Sequence, residues 1–246
     1  MTSRHDAARP IRLLHDGLNE LGLDGQEGVE PLERYVAELE RWNEKLGLVH
    51  ASGKELIVRH ILDSLAALPV LNALLDSVAD PVVADIGSGG GLPGIPLACF
   101  LPGCEVLLVE RSAKKCGFLR GALIVSGISN ARVIEADAAT VREAASVVVL
   151  RAFHALTADT VATLMRCARP GGALCAYKGR RDRIDAELRR ERGVCRDAAG
   201  GTGDSMAVDI IPVRVPFLPE ERHLVVMRER RAGEAASTDH PSPPGR

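Results

Sequence analysis

A chain of 246 residues and 26.2 kDa is long enough to bury a large core without disulfide staples. Its 46% hydrophobic and 26% charged residues exclude collagen-like sequence and wholesale disorder. Basic and acidic residues nearly cancel, 31 against 33, so no global field draws the molecule onto a polyanion and any such partner must be met locally. Residues 1–30 are mixed and contain glycine, which predicts a frayed helix and a loop. From Pro31, a favourable first helical residue, Leu32, Tyr35, Val36, Leu39, Trp42 and Leu46 recur at helical spacing. A second helix is expected from about Glu55 and is broken or kinked at Pro69, giving a small helical cap over residues 31–78.

The pattern then changes to short apolar runs alternating with longer amphipathic ones, the mark of strand–helix–strand units in a parallel sheet. Strands are expected at 82–86, 105–110, 131–135, 146–150 and 172–178, with helices at 94–101, 113–126, 138–144 and 157–168 between them. Five repeats predict an α/β fold with a doubly wound, mostly parallel sheet. Arg169-Pro170-Gly171-Gly172 reads as a helix-to-strand turn. Past Arg180 a charged helix leads to a turn at Gly200, Gly201 and Gly203, then two strands near 208–215 and 223–228 that close the sheet as a hairpin. Residues 79–231 form the main domain, and the proline-containing segment 232–246 reads as a disordered tail.

Charge-poor stretches such as 64–75 and 94–104 fall short of the roughly 18 apolar residues of a membrane span. The opening Met1-Thr2-Ser3-Arg4-His5-Asp6 lacks the apolar core of a secretory signal. A cytoplasmic protein without a membrane partner is expected. Cys99, Cys104, Cys116, Cys167, Cys175 and Cys195 form no C-x-x-C pair and read as reduced thiols, with no structural metal.

The strongest chemical signal is Asp85-Ile86-Gly87-Ser88-Gly89-Gly90-Gly91-Leu92-Pro93-Gly94, directly after the first expected strand and before a helix. Glycines there let the backbone turn sharply and approach a ligand. Gly89, Gly91 and Gly94 fit the dinucleotide pattern G-x-G-x-x-G, while Asp85, Gly87, Gly89 and Gly91 fit D-x-G-x-G-x-G, which belongs to adenosylmethionine binding. An acid at the strand end suits the ammonium end of adenosylmethionine and repels a diphosphate; a plain tight turn is the third reading. Glu110, ending the next strand, is placed to accept both ribose hydroxyls of either cofactor. Arg151 ends the fourth strand at the carboxyl edge, where open α/β sheets bind ligands. Lys178, Arg180, Arg181, Arg183, Arg189, Arg190, Arg192 and Arg196 make the most basic stretch, and with Arg111, Lys114 and Lys115 they are candidate RNA contacts, a solvated helix face being the alternative. Only seven aromatic residues exist, so no long stacking platform is available and Phe153 beside Arg151 is the one stacking candidate. His60 and His223 read as satisfied structural residues rather than acid–base groups.

Trp42-Asn43, His60-Ile61-Leu62-Asp63-Ser64-Leu65, Asp85 to Pro96, Lys114-Lys115 before Phe118-Leu119, Arg151-Ala152-Phe153, Lys178-Gly179 and Glu221-Arg222-His223-Leu224 together resemble the glucose-inhibited division protein B family. The resemblance runs from about Pro31 to Arg228. It implies a class I adenosylmethionine-dependent methyltransferase fold and transfer of a methyl group from S-adenosyl-L-methionine to N7 of a guanosine in 16S ribosomal RNA of the small subunit, by a monomer. It also implies that Gly87, Leu92, Ala138, Ala139 and Arg151 contact the cofactor, with Arg151 positioned at the substrate edge. Two departures stand out: Gly47-Leu48-Val49 replaces the usual Asn-Leu-Thr, and Ala139 stands where an acid is common, leaving adenine to backbone groups. No Asn-Pro-Pro-Tyr or Pro-Cys motif of other base methyltransferases is present. A nicotinamide-dependent oxidoreductase using the other glycine register and a non-catalytic RNA-binding assembly factor remain the rival readings.

Overall fold

A computed structural model describes residues 4–142, 145–151, 155–190 and 206–229. The helices are α1 (Arg4–Glu20), α2 (Val29–Leu46), α3 (Gly53–Leu75), α4 (Gly94–Phe100), α5 (Ala113–Ser126), α6 (Ala158–Met165) and α7 (Arg181–Arg190). The strands are β1 (Val82–Ile86), β2 (Glu105–Glu110), β3 (Ala131–Glu135), β4 (Ala145–Arg151), β5 (Ala168–Lys178), β6 (Met206–Pro212) and β7 (His223–Glu229). They form one sheet of order β3-β2-β1-β4-β5-β7-β6. β1 to β5 run parallel, and β7 pairs antiparallel with both β5 and β6. The chain winds outward from β1 to β3 and then crosses back to β4. This reversal puts the topological switch point between β1 and β4, where open sheets of this kind leave a crevice at their carboxyl edge.

Successive strand residues face opposite sides, so the apolar runs divide into two cores. Val83, Val106, Leu108, Val147, Val149 and Val226 face α1 to α5, whereas Ala84, Ile86, Leu107, Val109, Val148 and Leu150 face α6 and α7. Burial on both faces explains why these strands read as continuous apolar runs.

Several boundaries differ from the sequence expectation. α2 starts at Val29, so Pro31 lies third in the helix, where its missing N–H is still not needed by the helical ladder. In place of a helix over 138–144, Ala138–Thr140 forms a single 3-10 turn. Asp137 explains this: its carboxylate accepts from the Ala139 N–H (2.9 Å) while its carbonyl accepts from Thr140 Oγ1 (2.8 Å), local bonds that compete with helix propagation. The expected turn at 169–172 is absorbed into β5, beside a register shift between Ala145 and Val147 of β4. The glycines at 200–203, Cys195 and the tail 232–246 lie outside the described residues.

The early segment also does more than the expected frayed helix and loop. Leu14 and Leu18 of α1 are fully buried in the same core as the sheet, and α1 crosses α3 so closely that Gly17 faces the Leu62 side chain without room for a Cβ. α3 is a single stretch of 23 residues whose mean hydropathy reaches 1.4, so by length and composition it passes for a membrane span that the charge-free runs did not suggest; 67% of that window is buried within the protein, as a core helix requires. Pro69 falls within its last segment, Leu68–Leu75, at a first-turn position that proline tolerates. Among the described residues the five cysteines are free, and burial pushes the Cys99 and Cys175 thiols up to about 12. Leu18→Ala should lower stability by about 2–5 kcal/mol in urea denaturation, the usual range for emptying a buried leucine site; a loss below about 1 kcal/mol would mean that α1 is not part of the core.

Candidate active site

β1 carries Asp85 and Ile86 to the carboxyl edge between β2 and β4, and the chain then turns through Gly87, Gly89 and Gly91 at φ of 76°, 58° and 95°. Side chains other than glycine rarely adopt these angles. Beneath the turn, Asp85 is fully buried; its Oδ2 accepts from Ser88 Oγ (2.7 Å) and from the Gly94 N–H (3.0 Å). A Cβ at Gly94 would stand 2.7 Å from that same oxygen, so the helix can approach the carboxylate only with glycine at its first position. From the side, Glu110 accepts from the Gly89 N–H (3.0 Å) and the Ser112 N–H (2.8 Å). From the helical cap, the buried Tyr35 hydroxyl donates to the Gly90 carbonyl (2.8 Å). Strand, neighbouring strand and cap thus hold one ribbon in place.

Asp85 therefore does not stand on the groove surface to meet an ammonium group, as its position in sequence suggested. Ser88 and Gly94 occupy one oxygen, and the ribbon covers the side chain. Burial pushes its carboxyl up to about 6, against the pull of those two bonds and of Arg151. Its second oxygen, Oδ1, is buried with no partner, which leaves an acceptor beneath the ribbon for a ligand donor. Glu110 keeps unused lone pairs beyond its two backbone bonds. The glycine ribbon and the remaining lone pairs of Glu110 beside it fit the hydroxyl donors of adenosylmethionine.

The remaining sequence candidates fall into place unevenly. Gly87 is exposed on the ribbon, but Leu92 is only 5% exposed, its side chain packs into the core and its N–H donates to the Ser88 carbonyl (3.1 Å). The Ala139 N–H, expected to serve adenine, is engaged by Asp137. An acid does stand at this edge, two residues earlier than expected: the half-exposed Asp137 carboxylate, 3.9 Å from Arg111. Gly47 closes α2 in the left-handed conformation at φ 60°. Glycine and asparagine are the residues that tolerate this cap, so the exchange with the family's usual asparagine conserves the turn. Leu48 behind it packs against Gly90, tying the cap to the ribbon.

Arg151 is held at the end of β4 by α3. Its Nη1 donates to the Arg59 carbonyl (3.1 Å) and lies 3.6 Å from Asp63 Oδ2, and its Nη2 donates to His60 Nδ1 (2.8 Å). A guanidinium can only donate, so His60 Nδ1 must offer its lone pair and the imidazole proton sits on Nε2. Burial, then Arg151, push His60 down to about 4, which keeps the ring neutral near pH 7. His223 Nδ1 donates to the Gly179 carbonyl (2.7 Å). Both histidines are tethers, as the sequence pattern suggested. Asp63 also accepts from Arg222 Nε (3.1 Å); burial pushes its carboxyl up against the pull of Arg151 and Arg222. Sequence reasoning quoted Asp63 and Arg222 within motifs and gave them no role, and it read Tyr35 only as an apolar helix position. The signal was available for Asp63: a carboxylate in an otherwise apolar helix has to find a partner. Arg59 and His60 lie on a π-helical turn, Ile57–Leu62, an irregularity frequent at functional sites.

The basic stretch is partly neutralised from within: Lys178 pairs with Glu187 (2.9 Å), Arg180 with Asp182 (2.6 Å) and Arg181 with Asp185 (3.0 Å). Lys114 is exposed at the start of α5 and Lys115 half-buried. Arg192, Arg196 and Phe153 lie outside the described residues.

The family described as GidB, rRNA small subunit methyltransferase G, matches residues 29–199. The chain belongs to this family. It is 39% identical over 222 residues to the Ribosomal RNA small subunit methyltransferase G of Stenotrophomonas maltophilia, covering 87% of this chain and 92% of the relative. It is 38% identical over 203 residues to the protein of the same name from Treponema pallidum, covering 80% and 83%. Among solved structures, the magnesium protoporphyrin IX methyltransferase of Synechocystis PCC 6803 with bound SAM aligns at a TM-score of 0.52 and 19% identity, over 89% of this chain and 97% of that one. That likeness concerns the fold alone. Gly94, shared with the dinucleotide pattern, is required here by the close approach to Asp85.

Tyr35→Phe should cost about 1–3 kcal/mol in denaturant unfolding, because it leaves the buried Gly90 carbonyl unpaired; an unchanged midpoint would show that the clamp contributes nothing. Asp85 has a raised value in the folded chain, so the native state holds this proton more tightly than the unfolded one. Its stabilising contribution is present at low pH and falls as pH rises from about 4 to about 6. Asp85→Asn should remove that descending arm from the difference between wild-type and variant urea stabilities.

Proposed function

We propose that this chain transfers a methyl group from S-adenosyl-L-methionine to N7 of a guanosine in 16S ribosomal RNA of the small subunit. The observation that carries the reading is the ribbon Gly87–Gly91, pinned by Asp85 and Glu110, standing next to an arginine anchored at the end of β4. Family membership argues against a nicotinamide-dependent oxidoreductase. The assembly-factor reading rested on the departures at 47–49 and 139, which Gly47 as a left-handed cap and Asp137 at the same edge account for. Residues 31–78 then serve as a cap that completes the site of a methyltransferase domain spanning 79–231. The ribbon, both acids and the arginine cluster come from one chain, which supports action as a monomer, and a ribosomal substrate puts that action in the cytoplasm.

When bound, the cofactor supplies an electrophilic methyl group on a sulfonium. The residues that would hold it are the Gly87–Gly91 backbone, Leu92 through its backbone, Glu110, and the edge at Ala138 and Ala139 beside Asp137. Guanine N7 has a lone pair and no proton, so the chain need not supply a general base. His60 agrees with this, because its Nδ1 lone pair is engaged by Arg151. Catalysis then comes from holding the nucleobase and the donor in near-attack geometry. Arg151 is suited to positioning because three groups of α3 orient it. The target guanine must be unpaired or flipped out to reach such a crevice.

Small subunits from cells lacking this modification should accept labelled methyl from S-adenosyl-L-methionine, and nucleoside mapping should place the label on N7-methylguanosine. Gly87→Asp should abolish transfer, and Arg151→Ala should reduce it about a hundredfold, the penalty typical of a misplaced reacting group. Label found only on a small molecule, with the RNA unlabelled, would overturn the substrate assignment.

A further inference from the structure

A cleft of about 400 Å³ opens beside Arg151, where β4 and β5 end and β7 begins, and is lined among others by Arg59, His60, Asp63, Lys178, Arg222 and His223. Four cations, counting Arg151, face it with one acid. The acids paired to the outer cations stand off the cleft wall: Arg59 meets the exposed Glu55 and Glu220, and Lys178 meets Glu187. An exposed pair such as that of Arg59 is worth little and exchanges partners readily. The inner part differs. Arg151 and Arg222 share the single carboxylate of Asp63, at 3.6 and 3.1 Å, which leaves one unit of positive charge uncompensated at the bottom of the cleft.

Most N–H groups there already have acceptors, and two are left over among the described residues. Arg222 uses Nε on Asp63 and Nη1 on the Glu221 carbonyl, so its Nη2 makes no hydrogen bond among the described residues. His60 is committed through Nδ1 and presents Nε2–H. Net positive charge with unmatched N–H groups is the complement of a phosphate oxyanion, and Arg is the residue best shaped to meet one. The cleft adjoins Arg151 at the carboxyl edge, within reach of a strand whose base enters the crevice between β1 and β4.

We propose that this cleft binds a phosphodiester of the RNA strand next to the target base, with Arg222 and Arg59 contacting its oxygens. The proposal rests on the RNA-methylating reading above and extends it to how the strand is held.

Co-sedimentation of the protein with small ribosomal subunits over a range of KCl concentrations tests it, because it reads binding and not turnover. Arg222→Gln should weaken binding and reduce the slope of log Kd against log [KCl] by about one unit, the share of one neutralised phosphate. Arg222→Lys should restore the slope by restoring the charge. Arg59→Gln, at a half-exposed rim position where folding is not at stake, should lower the slope in the same direction. S-adenosyl-L-methionine binding by calorimetry should be unchanged in all three. An unchanged slope in both glutamine variants, or a lysine variant that behaves like Arg222→Gln, would overturn the proposal in favour of a structural role. Titration of inorganic phosphate separates the remaining source: tight uptake of the free ion that vanishes in Arg222→Gln, with subunit binding unaffected, would assign the cleft to free phosphate and also overturn it. Normal subunit binding and slope changes without any methyl transfer would instead count against the catalytic reading and leave the phosphate contact standing.

Discussion

The buried carboxylate of Asp85 is the constraint on which the site depends. A charge with no exposure is costly, and this one is tolerated because the chain wraps it: the Ser88 hydroxyl and the Gly94 amide both donate to it. To do so the backbone must reverse direction within a few residues, and only glycine reaches the required angles at 87, 89 and 91. The glycine pattern is thus the consequence of wrapping a strand-end acid, and the ligand groove is the outer surface of that wrapping.

The helical cap is a working part of this arrangement rather than a cover. α2 reaches the ribbon through the Tyr35 hydroxyl, and Leu48 behind it fills the space that a side chain at Gly90 would need. α3 reaches β4 and β7 through His60 and Asp63, which engage Arg151 and Arg222. A neutral imidazole suits the first task because its lone pair accepts from a guanidinium that would repel an imidazolium. One helix layer therefore contacts both the glycine ribbon and the arginine pair. Displacing either helix would disturb the two together.

Charge is handled locally throughout. A chain of net charge −2 has no long-range attraction for RNA. In the basic stretch that dominates the linear sequence, Arg180 pairs with Asp182 and Arg181 with Asp185. The uncompensated charge lies instead where two arginines far apart in sequence share one acid. Counting basic residues along the chain points to the first group, and only the fold reveals the second.

Much of this molecule was legible from local pattern. The first two strands end where the apolar runs end, because a strand buried on both faces must be apolar along its interior and its neighbours need not be. The glycine ribbon, Glu110 and Arg151 were visible because strand ends in an alternating α/β chain fall on one edge. Steric limits on backbone angles and the two-residue period of strands act over a few residues, and a sequence displays such constraints directly. The pairing of Tyr35 with Gly90, of His60 with Arg151, and of Asp63 with Arg222 joins residues 55, 91 and 159 positions apart. The same holds for the burial of Asp85, which turned a presumed ligand contact into a structural pin. These were decided by the tertiary structure, because a hydrogen bond or a desolvated charge depends on which surfaces meet, and no run of neighbouring residues specifies that.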